Sequence, residues 1–241
     1  MVGKHLSALT AMRIWFIFTP RISRYEGVRV NIATTNVLCS ILSALCAFWL
    51  GACPFSVWIG RWLLGKDIRD YGDGNPGAAN VFRAGGRKSA CLAIILDVTK
   101  GVPFVALAHS FFGFSEVVTM AVGLSAILGH AFSPLLRWRG GKSIAVTFGV
   151  LLALPQHEML ITFAVFMFLV FLFIENDAWI VMLGTAGSLT YLATTDGNSP
   201  ELLFMLCVLV ILAVKHFDDL HSMPRLNGKL INWLQSRRRA T

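Results

Sequence analysis

Long apolar runs alternate with short polar breaks along most of the chain. The runs predict helices at 31–52, 90–112, 115–132, 144–154, 159–174, 179–193 and 202–215. At about 1.5 Å of rise per residue, the first three approach or exceed the thickness of a hydrocarbon core about 30 Å across. The fourth is too short to cross unaided, so 144–174 reads either as one broken helix or as a half-helix followed by a span. Residues 6–18 are also apolar, but Arg13 interrupts them and Thr19-Pro20 ends them, which suits a helix lying in the membrane interface. The pattern predicts an all-α, polytopic integral membrane protein of about seven transmembrane or half-membrane helices. A basic N-terminal extension (1–30), a membrane domain (31–230) and a basic C-terminal tail (231–241) complete the expected organisation.

Composition supports the membrane reading. Of 241 residues, 56% are hydrophobic and 14% charged, whereas a soluble domain is about a quarter charged. A net charge of +8 raises the question of nucleic acid. The cations, however, lie in loops flanking apolar runs, with no basic, aromatic-interleaved domain to hold a strand, so no nucleic-acid partner is expected. The surplus instead fits anionic lipid or an anionic substrate. With seven crossings and the N-terminus outside, Arg61, Lys66, Arg69, Arg83, Arg87, Lys88, Arg137, Arg139, Lys142, Lys215 and Arg225 fall on one side. The opposite loops, near Gly113, Gln156 and Gly197, carry no Lys or Arg. The positive-inside rule makes the first side cytoplasmic, but Lys4, Arg13, Arg21, Arg24 and Arg29 of the extension then break the rule. The cysteines, Cys39, Cys46, Cys53, Cys91 and Cys207, are odd in number and have no CxxC or Cys/His spacing. Neither a disulfide framework nor a metal site is expected. Leu50-Gly51-Ala52-Cys53 looks like a lipoprotein signal, but Pro54 and several further spans follow it.

Three polar stations break the apolar background. The first is the island 66–88, with Gly72-Asp73-Gly74-Asn75-Pro76-Gly77 inside it. This matches G-x-G-x-x-G without the strand and βαβ unit a dinucleotide fold needs, so that reading fails. Glycines there can still turn backbone N–H groups onto an oxyanion, with Asn75, Asn80 and Arg83 as further donors. A solvated, turn-rich linker is the alternative. The second station is Gly129-His130 through Arg139-Gly140-Gly141-Lys142-Ser143. A P-loop would need glycine where Leu136 stands, and is rejected. A glycine pair beside a cation at a helix start remains an anion site, or else a basic helix flank anchored at the head groups. The third is Lys215-His216-Phe217-Asp218-Asp219, followed by Arg225. It reads as an acid/base pair or as a polar helix end. Within the spans, Asp97 and Lys100 share a helix face, as a site or as a mutually neutralising pair.

Together these stretches resemble the membrane-bound acyl-phosphate:glycerol-3-phosphate acyltransferases of bacteria, the PlsY family. The likeness runs from about Leu50 to Lys229. It rests on Pro54-Phe55, Ile59-Gly60-Arg61, Asp67-Ile68-Arg69, Gly74-Asn75-Pro76-Gly77-Ala78, Asn80-Val81, Arg83, Asp97-Val98-Thr99-Lys100-Gly101, Gly129-His130 and Arg139-Gly140-Gly141-Lys142. The resemblance implies transfer of an acyl group from acyl phosphate to the 1-hydroxyl of glycerol 3-phosphate, with no cofactor and no metal. The expected setting is the bacterial inner membrane, with the active face cytoplasmic and the protein a monomer. It implies phosphate binding by Arg61 and Lys142, and an anion cradle over Gly74, Asn75, Gly77 and Asn80 with Arg83. Lys100, His130, Gly140, Gly141, Ser143 and Arg225 join the substrate-binding candidates, and His216 and Asp219 are the catalytic ones. An acyl phosphate has a good leaving group, so positioning and charge stabilisation can supply much of the rate. The hydroxyl proton would pass to His216 or to a substrate phosphate oxygen.

The chain departs from the family pattern in places. Ala52 stands where a serine is expected, Ser143 where a glycine is, and Asp219 where an asparagine is. Arg225 is displaced behind a short insertion, and Lys229-Leu230 occupies the place of a closing glutamate. A carboxylate near two phosphates repels them unless it is protonated or salt-bridged. Two rival readings follow: a non-catalytic or altered-substrate paralogue binding a phosphorylated head group, and an organic-anion transporter. The second lacks any inverted repeat and has its polar residues at one face rather than at midplane.

Overall fold

The computed structural model describes residues 32–196 and 199–228. The interfacial helix expected at 6–18, the cations of the extension, Lys229-Leu230 and the basic tail lie outside them. Contacts divide the chain into Met1–Val37 and a second unit, Leu38–Thr241, and everything that follows concerns the second.

The helices are α1 (Ile32–Ala52), α2 (Phe55–Leu64), α3 (Ala78–Arg83), α4 (Arg87–Thr99), α5 (Pro103–Ala106), α6 (Glu116–Ala131), α7 (Ile144–Ala153), α8 (His157–Phe173), α9 (Asp177–Asp196) and α10 (Pro200–Lys215). Among the described residues there is no strand, only an isolated bridge between Ile174 and Leu226. The architecture is an all-helical, polytopic membrane one. Three helical runs, Thr34–Leu64, Arg87–Phe111 and Glu116–Leu136, are long and apolar enough to cross a bilayer, and α7 and α8 are shorter apolar helices. Leu92, Ile95, Ile161, Val165, Phe168, Leu203 and Val210 face outward, an array that suits hydrocarbon and not water.

The expected boundaries needed correction in two places. The first span ends at Ala52 as expected, but a further helix that the pattern did not predict starts at Phe55, where Pro54 removes a donor that would have no partner at a helix start anyway. The expected run 90–112 begins at Arg87 and breaks before Pro103, ending in a π-helical turn, Leu107–Phe111. Of the two readings of 144–174, the structure shows a short helix followed by a longer one. The rings of Phe148 and Phe163 lie 5.0 Å apart, which places α7 and α8 side by side as a hairpin around Pro155.

The main core is apolar and lies between α6, α7, α8 and α10, where Met120, Val150, Leu151, Phe163, Phe204 and Leu212 are buried. Close approach, rather than side-chain bulk, sets the α4–α7 crossing. A Cβ on Gly149 would meet the Val98 carbonyl oxygen, and one on Gly101 would meet that of Val146. A smaller core sits under the polar island, where Val57 and Ile59 of α2 enclose Ile68, Val81 and Ala93. Ile68 and Val81 are fully buried, and Lys66 Nζ donates to the Ala84 carbonyl at 2.8 Å. The island is therefore a folded cap on α2 and α4, not a solvated linker.

Gly149→Ala should cost about 1–3 kcal/mol by forcing α4 and α7 apart. Gly85→Ala meets open space, but its left-handed backbone (φ 102) predicts a smaller loss of about 1 kcal/mol. Thermal unfolding of the detergent-solubilised variants checks this ordering.

Candidate active site

The second station is shaped by glycines. After α6, a 3₁₀ turn (Pro134–Leu136) leads into Arg137 and Trp138, and then the chain lies flush on the end of α6. Gly141 N–H donates to the His130 carbonyl at 3.0 Å. A Cβ on Gly140 would strike that carbonyl oxygen, and one on Gly141 the His130 ring. Ser143 then opens α7 in a left-handed conformation (φ 63). That backbone explains why the family pattern has glycine here: only glycine adopts it without penalty. Serine is tolerated with its hydroxyl donating to the Ile127 carbonyl at 3.4 Å.

Lys142, projecting from this turn, ties the three stations together. Its Nζ lies 2.6 Å from Asp73 Oδ2 of the island and 2.8 Å from Asp219 Oδ2 beyond α10. Asp73 also organises its own loop: Oδ1 accepts from Asn80 Nδ2 at 2.8 Å and from Asn75 N–H at 3.2 Å. Asn80 Nδ2 also reaches the Asn75 carbonyl at 2.9 Å, and Arg83 Nη1 donates to Asn80 Oδ1 at 2.7 Å. From the third station, Lys215 Nζ donates to the Gly140 carbonyl at 2.9 Å. Burial pushes the Asp73 carboxyl up, but the hydrogen bonds from Lys142 and Asn80 outweigh it and bring its pKa down to about 2. Burial likewise opposes the charge on Lys142, yet the two carboxylates hold its pKa above the ordinary lysine value. Asp219 is thus salt-bridged, the condition under which a carboxylate at this position is compatible with neighbouring phosphates.

His216, just past α10, is fully buried. Its Nδ1 lies 2.9 Å from the Leu212 carbonyl. A carbonyl only accepts, so Nδ1 carries the proton and Nε2 is left with a lone pair. Burial, reinforced by the charge on Lys142, lowers its pKa and favours the neutral ring. Nε2 has no hydrogen-bond partner among the described residues. His216 is among the residues lining a cavity of about 1050 Å³, whose polar lining includes Asp73, Asn75, Arg83, His130, Lys142 and Ser143. The cavity continues along apolar walls of α4 (Cys91, Ile94, Val98), α7 (Phe148) and α8 (Met167, Phe171).

Other expected residues lie elsewhere. Arg61 and Gly74 line a second cavity of about 1030 Å³ across the island loop, and Arg61 Nη2 is held by Asp67 Oδ2 at 2.9 Å. Lys100 is buried between Asp97 (2.8 Å) and the Cys53 carbonyl (2.9 Å), and so pins the start of α2 to the end of α4. Ser56 completes this pin by donating to Asp97 Oδ2 at 2.6 Å. Arg225 sits against the α8–α9 turn, its N–H donating to Asn176 Oδ1 at 2.7 Å. The residue that sequence reasoning passed over is Asp73, because an anion site was sought among cations and amides. Its position two residues before Asn75, where an aspartate caps a turn, was the available signal.

A model of the Glycerol-3-phosphate acyltransferase family matches residues 41–225. A glycerol-3-phosphate acyltransferase of Parasynechococcus marenigrum (strain WH8102) is 38% identical over 137 residues, 57% of this chain and 64% of that protein. The alignment with a curated relative from Synechococcus sp. (strain JA-2-3B'a(2-13)) also spans 64% of that protein, at 40% identity. One from Streptococcus equi subsp. zooepidemicus (strain MGCS10565) is 28% identical over 200 residues, 80% of this chain and 93% of its own. The crystal structure of PlsY, an integral membrane glycerol 3-phosphate acyltransferase, in its glycerol 3-phosphate form superposes with a TM-score of 0.68 at 26% identity, covering 76% of this chain and 90% of that one.

Two outcomes follow from this site. Ser143→Gly should leave stability unchanged or raise it by up to about 1 kcal/mol, as positive-φ strain is relieved, whereas Ser143→Val should lower it; thermal midpoints decide. The Asp73 carboxyl is depressed from 3.8 to about 2. Its contribution to stability is therefore full above pH 3.8 and is lost as pH falls through about 2. The stability gap between the wild type and Asp73→Asn should close over that window and hold at neutral pH.

Proposed function

The chain belongs to the glycerol-3-phosphate acyltransferase family, and on that premise we propose that it transfers an acyl group from acyl phosphate to the 1-hydroxyl of glycerol 3-phosphate. The products are lysophosphatidic acid, for phospholipid synthesis, and inorganic phosphate. The observation that carries this reading is that Lys142, bridged to two carboxylates, and His216, whose Nε2 has no hydrogen-bond partner among the described residues, line one cavity.

In this scheme the acyl tail lies along the apolar walls of α4, α7 and α8, and its phosphate sits at the polar end. There Lys142 exchanges a carboxylate for phosphate oxygen, and Arg83 adds a donor. Glycerol 3-phosphate enters beside it, with the 1-hydroxyl against His216 Nε2. The hydroxyl oxygen bonds to the acyl carbon, the bond from that carbon to the phosphate oxygen breaks, and phosphate leaves as the anion. The hydroxyl proton goes to Nε2, whose partner nitrogen stays fixed on the Leu212 carbonyl. Gly140 and Gly141 seat His130 and aim Lys142, and Ser143 begins the helix behind it. Asp219 sets how tightly Lys142 holds an incoming phosphate. Lys100 acts through the α2–α4 pin. Arg61 enters only by releasing Asp67, and Arg225 only by moving off the α8–α9 turn. The site is contained in one chain, which fits a monomer, and its cationic loops fit a cytoplasmic active face in a bacterial inner membrane.

Purified protein supplied with acyl phosphate and glycerol 3-phosphate should release phosphate. Lys142→Ala should cut kcat/KM by roughly 100-fold or more. His216→Gln should lower kcat by about 100- to 10,000-fold with little change in KM. Asp219→Asn should lower the KM for glycerol 3-phosphate, because one carboxylate no longer competes for Lys142. Phosphate binding without turnover in the wild type would favour the non-catalytic reading, and full activity in His216→Gln would move the proton to the substrate phosphate.

A further inference from the structure

Asp177 opens α9 and is the acidic residue of its first turn. Acyl transfer as described above gives it no part, yet it lines the same cavity as His216. The other carboxylates around that cavity are spent: Asp73 and Asp219 on Lys142, and buried Asp97 on Lys100. Of the cations, Arg83 is held by Asn80 at 2.7 Å, Lys215 by the Gly140 carbonyl at 2.9 Å, and Arg87 lies over the Phe82 ring. The ring of His130 is covered by Gly141. Asp177 alone among the lining carboxylates has no ion-pair partner among the described residues.

The start of α9 is fixed against the segment that follows His216. Leu220 N–H donates to the His216 carbonyl at 3.0 Å, and two residues further on the Ser222 carbonyl accepts from Trp179 Nε1 at 2.7 Å. Arg225 N–H donates to Asn176 Oδ1 at 2.7 Å, and Glu175 N–H to the Arg225 carbonyl at 2.9 Å. These bonds bracket Asp177, so its carboxylate and the imidazole are carried by one hydrogen-bonded unit. A carboxylate with no cation of its own, beside a cavity where an imidazole takes up a proton, favours the charged ring. Burial, the largest influence on His216, favours the neutral ring and the Lys142 charge adds to it, while Asp219 and Asp177 pull the other way. Since Asp219 is already paired with Lys142, Asp177 is the carboxylate left to oppose them. We infer that Asp177 is a positioning residue for the acyl transfer, the negative partner that stabilises the His216 imidazolium formed when Nε2 accepts the hydroxyl proton. Nε2 then returns that proton to the departing phosphate, and Asp177 takes none itself. The inference rests on the acyl-transfer reading and deepens it.

The test is a pH titration of the histidine ring nitrogens by NMR on the full chain in detergent, with His216→Gln identifying the His216 signal, alongside the pH profile of kcat. Wild type, Asp177→Asn and Asp177→Ser are compared, and melting midpoints verify that the variants are folded. Both neutral variants should lower the His216 midpoint by about half a pH unit or more, and move the acid limb of kcat to lower pH by the same amount. The plateau of kcat should fall about three- to tenfold with KM little changed, as the base weakens. A purely structural role would lower the plateau without moving the limb. The titration needs no turnover, so a wild type that releases no phosphate would defeat the acyl-transfer reading while the His216 midpoints still decide this inference. Identical His216 titrations in wild type and variants would overturn it. So would a raised KM for glycerol 3-phosphate with an unmoved limb, which would put Asp177 on the substrate instead.

Discussion

A single ammonium group shared between two carboxylates holds the polar end of this protein together. Lys142 comes from the turn before α7, Asp73 from the island and Asp219 from the segment after α10, so one side chain closes loops far apart in the chain. Such a bridge is partly buried, and its strength comes from being doubled and hydrogen-bonded, since a lone surface ion pair contributes little. Asp73 passes the constraint on by capping its own loop through Asn75 and Asn80. The cation is thus held ready in the ground state by groups an incoming phosphate can replace.

That arrangement depends on backbone packing that leaves no room for side chains. Gly140 and Gly141 lie against the end of α6, and Gly101 and Gly149 let α4 and α7 touch along their backbones. The island is held by the small core around Ile68 and Val81, and α2 is pinned to α4 by the buried Ser56–Asp97–Lys100 cluster. Breaking one member of that cluster would strand a charge in a region with little water, a heavier penalty than the pair's own attraction. Intramembrane Asp97 and Lys100 are therefore better understood as scaffold than as ligands.

The two cavities differ in what lines them. The one at Lys142 combines a polar mouth with a long apolar wall, and His216 lines it with a tautomer chosen by a main-chain carbonyl. The other, across the island loop, combines guanidinium groups with tryptophan and leucine. Asp219 is a local compromise: a carboxylate repels anions in isolation, but here it is paired with Lys142.

Much of this was legible along the chain. Apolar runs specify membrane helices because backbone polar groups in hydrocarbon must be satisfied within the segment, and the glycine- and cation-rich breaks marked the stations that carry the site. Ser143 could be recognised as a departure, though not as a left-handed residue. Other features depended on distant partners. The restart at Phe55, the α7–α8 hairpin and the separation of Arg61 from Lys142 are settled by which surfaces pack. Asp73 and Lys142 are 69 positions apart, and no local pattern reveals that they meet. Sequence determines what each segment must bury and where charge cannot go; only the tertiary structure decides which charges neutralise one another and which remain open to a ligand, because Coulomb attraction depends on distance in space and not along the chain.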